Sequence, residues 1–169
     1  KIFSKKLSNI EINVLEVTPV EAIDLLYARQ LNVAVVAADS IAASNVSFYT
    51  KEIFNDPYVL ATPKNILLDD LISFEELKKE DKKIISSTIV FEFGSQHKKR
   101  IDDWLKENLV ETKTLAHTRS YEVALSMVEA GLGVVVLPAL TAVVGINRSY
   151  EVNLYKTNIS TRRLIAMTP

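Results

Sequence analysis

Three hydroxyl residues, Thr18, Ser95 and Ser120, stand where an extended segment passes into a helical pattern. The first N–H groups of a helix have no partner within the helix, and the positive end of its dipole lies behind them. Small anions bind at such helix starts. Gly94 precedes Ser95 and lets a ligand approach the backbone closely, and Gln96 follows in the same turn. The pattern predicts a small anion or carboxylate held between the turns at Thr18 and Ser95.

A second interpretation of the same residues stays open, because a hydroxyl at a helix start can act only as an N-cap. For Ser120 in particular, capping is the favoured role. Ala38 ends an apolar run and is expected to line the same site, whereas the adjacent Asp39 would repel an anion and is expected to point away.

Two groups of cationic side chains allow either a ligand role or a surface role. Residues 97–100 read His-Lys-Lys-Arg in the first turn of a helix, where cations oppose the dipole. His117 and Arg119 lie two apart in an extended segment, so their side chains point the same way. A solvated helix turn and a surface pair are the favoured interpretations.

Recognisable catalytic patterns are missing from the sequence. His97 and His117 lack the spacing of metal ligands, and Gly94-Ser95-Gln96 lacks the flanking glycine of a nucleophile elbow. The glycines at 131 and 133 precede a strand pattern rather than a helix, which is the wrong context for a dinucleotide. The sequence therefore predicts no enzyme activity, no metal and no cofactor.

Composition narrows the class of protein further. The 169 residues are 48% hydrophobic and 24% charged, which is typical of a globular domain. A net charge of -1 lacks the basic excess of a nucleic-acid-binding domain, and no apolar run is long enough for a membrane span. The chain has no cysteine, which excludes disulfides and thiolate metal sites.

The segment 120–138 gives the clearest secondary structure. Apolar residues at 121, 124, 125 and 128 have the spacing of one buried helix face. Gly131 can close that helix in the left-handed conformation, and residues 134–137 form a wholly apolar run that predicts a strand buried on both faces. A helix followed at once by such a strand is typical of α/β folds.

Earlier in the chain, the pattern predicts a strand, a helix and a second strand. Residues 10–17 alternate between apolar and polar, as in a half-buried strand. Thr18, Pro19 and Glu21 form a capping box with proline at the first helical position. Residues 31–38 are apolar again, so we expect a βαβ unit with parallel strands.

Two breaks in the pattern divide the chain into lobes. One break is at Thr62-Pro63 and the other is at residues 160–163. They predict that residues 1–62 and 161–169 form lobe I and that residues 63–160 form lobe II. The ligand would then bind in the cleft between the lobes, beyond the carboxyl ends of the strands.

The order of these elements resembles the effector-binding domain of LysR-type transcriptional regulators. Motifs such as "FEFGSQHKKRIDDWL" and "SYEVALSMVEAGLGVVVLP" carry the resemblance. The matching segments, in chain order, are residues 10–37, 54–63, 91–105, 120–138 and 162–167. The resemblance implies a type 2 periplasmic-binding-protein-like fold, with two α/β/α lobes joined by two crossovers. It also implies that the turn at Ser95 faces the effector cleft.

The chain departs from the family pattern in places. Family members carry Gly after the first helix and Asp before the next strand, where this chain has Gln30-Leu31 and Asn32. The family's first strand would precede Lys1 and its last helix would follow Pro169. We therefore expect the sequence to be part of a longer protein whose helix-turn-helix domain lies upstream.

The resemblance implies a cytoplasmic ligand sensor. A small anionic effector would bind between the lobes and change how the subunits of a homodimer, or of a tetramer of the full-length protein, pack. DNA would be contacted only through the N-terminal domain missing here, and no membrane partner is expected. The alternative is a solute-binding protein of a transport system with the same fold, which a secretion signal upstream would reveal.

Overall fold

The computed structural model describes residues 10–41, 48–68, 76–92, 95–109, 111–143 and 150–169, with only the backbone of residues 95 and 96. Its helices are α1 (Pro19–Tyr27), α2 (Lys79–Ile85), α3 (Ser95–Asn108), α4 (Tyr121–Glu129) and the short α5 (Ala139–Ala142). Its strands are β1 (Ala34–Ala37), β2 (Tyr49–Asp56), β3 (Tyr58–Pro63), β4 (Ser87–Phe91), β5 (Lys113–Thr118), β6 (Val135–Pro138), β7 (Val152–Lys156) and β8 (Arg162–Thr168).

The sheet of the first lobe has the strand order β1-β8-β2, and both pairings are antiparallel. The last strand of the chain therefore lies between two strands from its first third. Helix α1 covers this sheet with Ala22 and Leu26, which pack on Ala34 and Met167. A 3-10 turn, Ala38–Ser40, follows β1 directly.

The second lobe is built on a mixed sheet. Strand β3 pairs antiparallel with β6 and with β7, and β4 pairs parallel with β5. A parallel bridge between Thr88 and Val134 joins the two groups, so the strand order is β5-β4-β6-β3-β7. Side chains of α4 fill one face of this sheet, and those of α2 and α3 fill the other.

The structure confirms the predicted helix and strand within residues 120–138. Ser120 caps α4 by accepting a hydrogen bond from the N–H of Val123, and Gly131 closes it with φ +76°. Residues 134–137 are buried on both faces. A Cβ on Gly133 would lie 2.4 Å from the carbonyl oxygen of Ser87, so this glycine lets β4 approach β6 closely.

The prediction of a strand at residues 10–17 is wrong. This segment has no regular structure, and its apolar residues are exposed, Val14 by 84%. The expected parallel βαβ unit is therefore not formed, and β1 pairs with β8 instead. Alternating apolar residues give a strand only where a neighbouring strand offers hydrogen bonds, and no described residue pairs with this segment.

The capping box at the start of α1 is confirmed, but the chain leaves the first lobe earlier than predicted. Strand β3 lies wholly in the second sheet, although the break at Thr62-Pro63 placed most of it in lobe I. The changeover occurs at Pro57, which separates β2 from β3. Proline supplies no N–H for a sheet ladder and so suits a point where pairing changes. Strand β8 begins at Arg162, within the break predicted at residues 160–163.

A buried ion pair connects the two places where the chain crosses between lobes. The Oδ2 of Asp56, the last residue of β2, lies 2.7 Å from an Nη of Arg162, the first residue of β8. The N–H of Leu140 donates to the other carboxylate oxygen at 2.9 Å. Because the Asp56 side chain is only 1% exposed, these partners replace the water that its charge has lost.

We predict that Asp56→Ala lowers the free energy of unfolding by about 3–5 kcal/mol, because Arg162 would remain largely buried without its counterion. The matched control is Glu52→Ala on the same strand, which removes an exposed partner of Arg163 at 3.9 Å. That change should cost about 0–1 kcal/mol. Urea denaturation measures both values, and equal losses would contradict the structural role of the buried pair.

Candidate functional site

The best-defined polar cluster of the structure centres on His97, in the first turn of α3. Its Nε2 lies 2.9 Å from the hydroxyl oxygen of Ser40, in the 3-10 turn of the first lobe. Its Nδ1 lies 2.7 Å from the hydroxyl oxygen of Tyr58, at the start of β3. The imidazole therefore joins the two lobes where the cleft is expected.

An ion pair crosses between the lobes beside this histidine. An Nη of Arg100 on α3 donates to Oδ2 of Asp39, at 2.8 Å, and both side chains are partly exposed. Asp39 was expected to point away from a bound anion, but its carboxylate instead reaches the opposite lobe and lies on Arg100. One turn of helix supplies both His97 and Arg100, and one 3-10 turn supplies the partner of each in the first lobe.

A small pocket lies next to His97. Its solvent-accessible core measures about 30 Å³, which is room for roughly two water molecules. It is lined by aromatic, aliphatic and basic side chains and, among the described residues, by no acidic one. These residues are Tyr58, Phe91, His97, Lys98, Ile101, Tyr121, Val136 and Arg162.

The aromatic wall of the pocket is a stacked pair. The rings of Phe91 and Tyr121 lie 3.8 Å apart between centroids and are nearly parallel, at 9°. Burial raises the pKa of Tyr121 to about 12, and burial likewise raises the pKa of Tyr58. Both phenols therefore keep their protons at neutral pH and can donate a hydrogen bond to an acceptor.

Burial also determines the protonation state of His97. Loss of water around the ring, with Arg100 and Arg162 nearby, lowers its pKa against the opposing influence of Asp39. At neutral pH the imidazole is uncharged, so one nitrogen donates a hydrogen bond and the other accepts one. The hydroxyls of Ser40 and Tyr58 can each take either role.

Only some of the residues that the sequence predicted to bind an effector lie near this pocket. The hydroxyl of Thr18 donates to Glu21 Oε2 and accepts from the N–H of Glu21. The hydroxyl of Ser120 donates to Glu122 and accepts from the N–H of Val123. The described contacts of these two residues are those of helix caps.

The remaining predicted residues lie nearer the pocket. Ala38 begins the 3-10 turn whose next two residues contact α3. Ser95 and Gln96 open α3, one turn before residues that line the pocket, but their side chains are outside the described part of the chain. Gly94 is outside the described residues altogether.

Sequence reasoning missed most of the pocket. It favoured a solvated turn for residues 97–100, yet His97 and Arg100 contact the other lobe. Tyr58 and Arg162 were not singled out, although in the structure each directly follows a connection between the two lobes. His117 was expected at the surface, and it lies there, 2.9 Å from Glu92.

The described residues contain no cluster of three or more His, Asp or Glu that could hold a metal ion. Nor does any helix within the described ranges have the length and apolar character needed to cross a bilayer.

Comparison with known proteins identifies the family. The family model for the LysR substrate binding domain matches residues 1–166. The chain belongs to this family. LysR substrate-binding domains are the effector-binding parts of transcription regulators and are not enzymes, which confirms the resemblance found in the sequence. No curated protein sequence matches the chain significantly.

Solved structures show the same fold at low sequence identity. The OxyR2 E204G regulatory domain from Vibrio vulnificus is 15% identical with a TM-score of 0.69, over 99% of this chain and 78% of that one. The CcmR regulatory domain from Synechocystis PCC6803, in complex with 2-PG, is 14% identical with a TM-score of 0.69, over 99% and 77%. CbnR, a LysR family transcriptional regulator, is 13% identical with a TM-score of 0.66, and the chain spans 56% of it. The type 2 periplasmic-binding-protein-like fold is thereby confirmed.

The lowered pKa of His97 predicts a pH-dependent stability. In the unfolded chain this group has its ordinary pKa of about 6.5 and takes up a proton more readily than in the fold. Stability contributed by the neutral His97 is therefore fully present above the unfolded pKa of about 6.5 and is lost as the pH falls from there through the lower pKa of the folded state. The difference in free energy of unfolding between the parent and His97→Gln should shrink between pH 7.5 and pH 5.5. Urea denaturation at both values checks this, and a pH-independent difference would contradict it.

Proposed function

We propose that this domain senses a small anionic effector in the cleft between its lobes, within a bacterial LysR-type regulator. The observation that carries the proposal is the charge of the pocket, because Lys98 and Arg162 line it and no acidic side chain among the described residues does. Neutral His97 and the protonated Tyr58 are hydrogen-bonded to each other and together offer one further donor. Anions are favoured where fixed donors and cations surround a site from which water is largely excluded.

Arg162 can bind an effector while Asp56 keeps its side chain in place. One terminal nitrogen is held by Asp56, and its Nε is buried without a partner among the described residues. An acceptor oxygen of an effector would satisfy that N–H, since a buried unpaired donor costs free energy. Gly94, Ser95 and Gln96 belong to the same proposed site because α3 begins there. Ala38 belongs to its first-lobe side, whereas Thr18 and Ser120 serve as caps.

The proposed mechanism is a shift between two arrangements of the lobes. An effector that contacts both lobes binds one arrangement more tightly, and the population moves toward it. Coupling to subunit packing then transmits the signal to a helix-turn-helix domain, which contacts the DNA in the cytoplasm.

Dimerisation is proposed through the helices α1 and α3, the first lobe of one subunit against the second lobe of its partner. Helix α1 supports this, because Val20 is 69% exposed and Tyr27 is 45% exposed. Leu31, also considered from the sequence, packs against the first-lobe core instead and is left out of the proposed interface.

The charge of the pocket can be tested with two adjacent lysines. Lys98 lines the pocket and Lys99 does not, yet both are exposed residues of α3. Lys98→Gln should weaken the binding of sulfate, phosphate or 2-PG by about 3- to 10-fold, which corresponds to the loss of one partly screened charge-assisted contact. Lys99→Gln should leave it unchanged. Isothermal titration calorimetry measures both variants, and equal weakening would remove the anion site from this pocket.

For the dimer, Val20→Glu should raise the dissociation constant by at least about tenfold, because a charge would lose its water in the interface. Lys64→Glu, at an exposed loop position, is the control. Sedimentation velocity of each variant, with the melting temperature as a check on folding, measures the effect. An unchanged monomer–dimer equilibrium in Val20→Glu would place the interface elsewhere.

A further inference from the structure

Two contacts hold the lobes together without any ligand. They run from consecutive residues of the first lobe, Asp39 and Ser40, to Arg100 and His97 of the second. We infer that these four residues form a cross-lobe latch beside the pocket, and that an anionic effector binds His97 and Arg100 only when the latch opens. The inference rests on the proposed function, since it concerns the regulation of the same site.

The contacts of the latch support this order of events. His97 lines the pocket and its Nε2 is occupied by Ser40, and Arg100, one turn further along α3, is occupied by Asp39. The latched arrangement is therefore the one with low affinity for an anion that needs these two side chains.

The second-lobe residues of the latch are side chains that an anionic ligand could also bind. Asp39 is the only acidic residue of the latch, and its carboxylate lies on Arg100, one turn of helix from the pocket residue His97. Opening the latch frees the guanidinium of Arg100 and one nitrogen of His97. Both can then donate hydrogen bonds to an anion, so Asp39 acts as an internal competitor of the effector.

The positions of the crossovers allow such an opening. Between Asp56 and Tyr58 the connection is Pro57, and residues 157–161 make the second connection. The buried pair of Asp56 and Arg162 ties these two points together. Rotation about them separates the 3-10 turn from α3 without breaking either sheet, as in hinge closure of two-lobed proteins.

Removing the latch should raise the affinity for anions, because a larger fraction of molecules would be open. We expect Asp39→Asn to lower the Kd of sulfate and phosphate about 3- to 10-fold and Ser40→Ala to lower it about 2-fold. Asp103→Asn is the control, since it makes the same charge change at an exposed position of α3. Isothermal titration calorimetry on the whole chain measures all three.

A second measurement separates the latch from a simple change of charge. Because the chain has no cysteine, spin labels can be placed at Lys51→Cys on β2 and Glu107→Cys on α3, one exposed position in each lobe. Pulsed electron resonance should give a longer or broader inter-label distance in Asp39→Asn and in Ser40→Ala than in the parent.

Each combination of results either supports or overturns the latch or the proposed anionic effector. Tighter anion binding by both variants with a longer distance supports the latch. If only Asp39→Asn binds more tightly and the distance stays constant, the effect is electrostatic and the latch is overturned. If no anion binds to any variant, the proposed anionic effector fails, while the distances still decide whether the latch exists. Unchanged distances in both variants overturn it.

Discussion

The ion pair between Asp56 and Arg162 is the constraint on which the rest of the structure depends. It joins the end of β2 to the start of β8, which are the two points where the chain passes between lobes. A buried charge is costly unless it is fully partnered, and the carboxylate here has Arg162 on one oxygen and the N–H of Leu140 on the other. The ion pair can therefore form only when both crossovers occupy their observed places. The hydrogen bond from Leu140 fixes α5 in the same arrangement.

The same pair positions residues of the proposed binding site. Asp56 holds a terminal nitrogen of Arg162, and the rest of that side chain lines the pocket beside Tyr58. Tyr58 follows the first crossover by one residue, and its hydroxyl holds His97. The hinge and the pocket thus share residues. A displacement of the crossovers would move the cationic groups of the proposed site, which is the coupling that the proposed sensor requires.

Local signals in the sequence predicted local structure well. The capping box at Thr18 and the helix and buried strand at residues 120–138 depend on neighbours in the chain, and the structure contains them. The pairing of strands that are distant in the sequence could not be predicted in the same way. The insertion of β8 between β1 and β2, and the transfer of β3 to the second sheet, depend on partners about 100 residues away. No periodicity within one segment encodes that choice.

The candidate site illustrates why local rules can fail where two lobes meet. Residues 97–100 place cations in the first turn of α3, against the helix dipole, and a solvated surface was the simplest interpretation. The structure offsets this local cost through the other lobe, because Asp39 neutralises Arg100, and burial keeps His97 uncharged. Local preference and tertiary structure disagree in this turn, and such disagreement is expected at functional sites. In this turn, the unfavourable charge at the helix start is matched by an acidic partner in the other lobe.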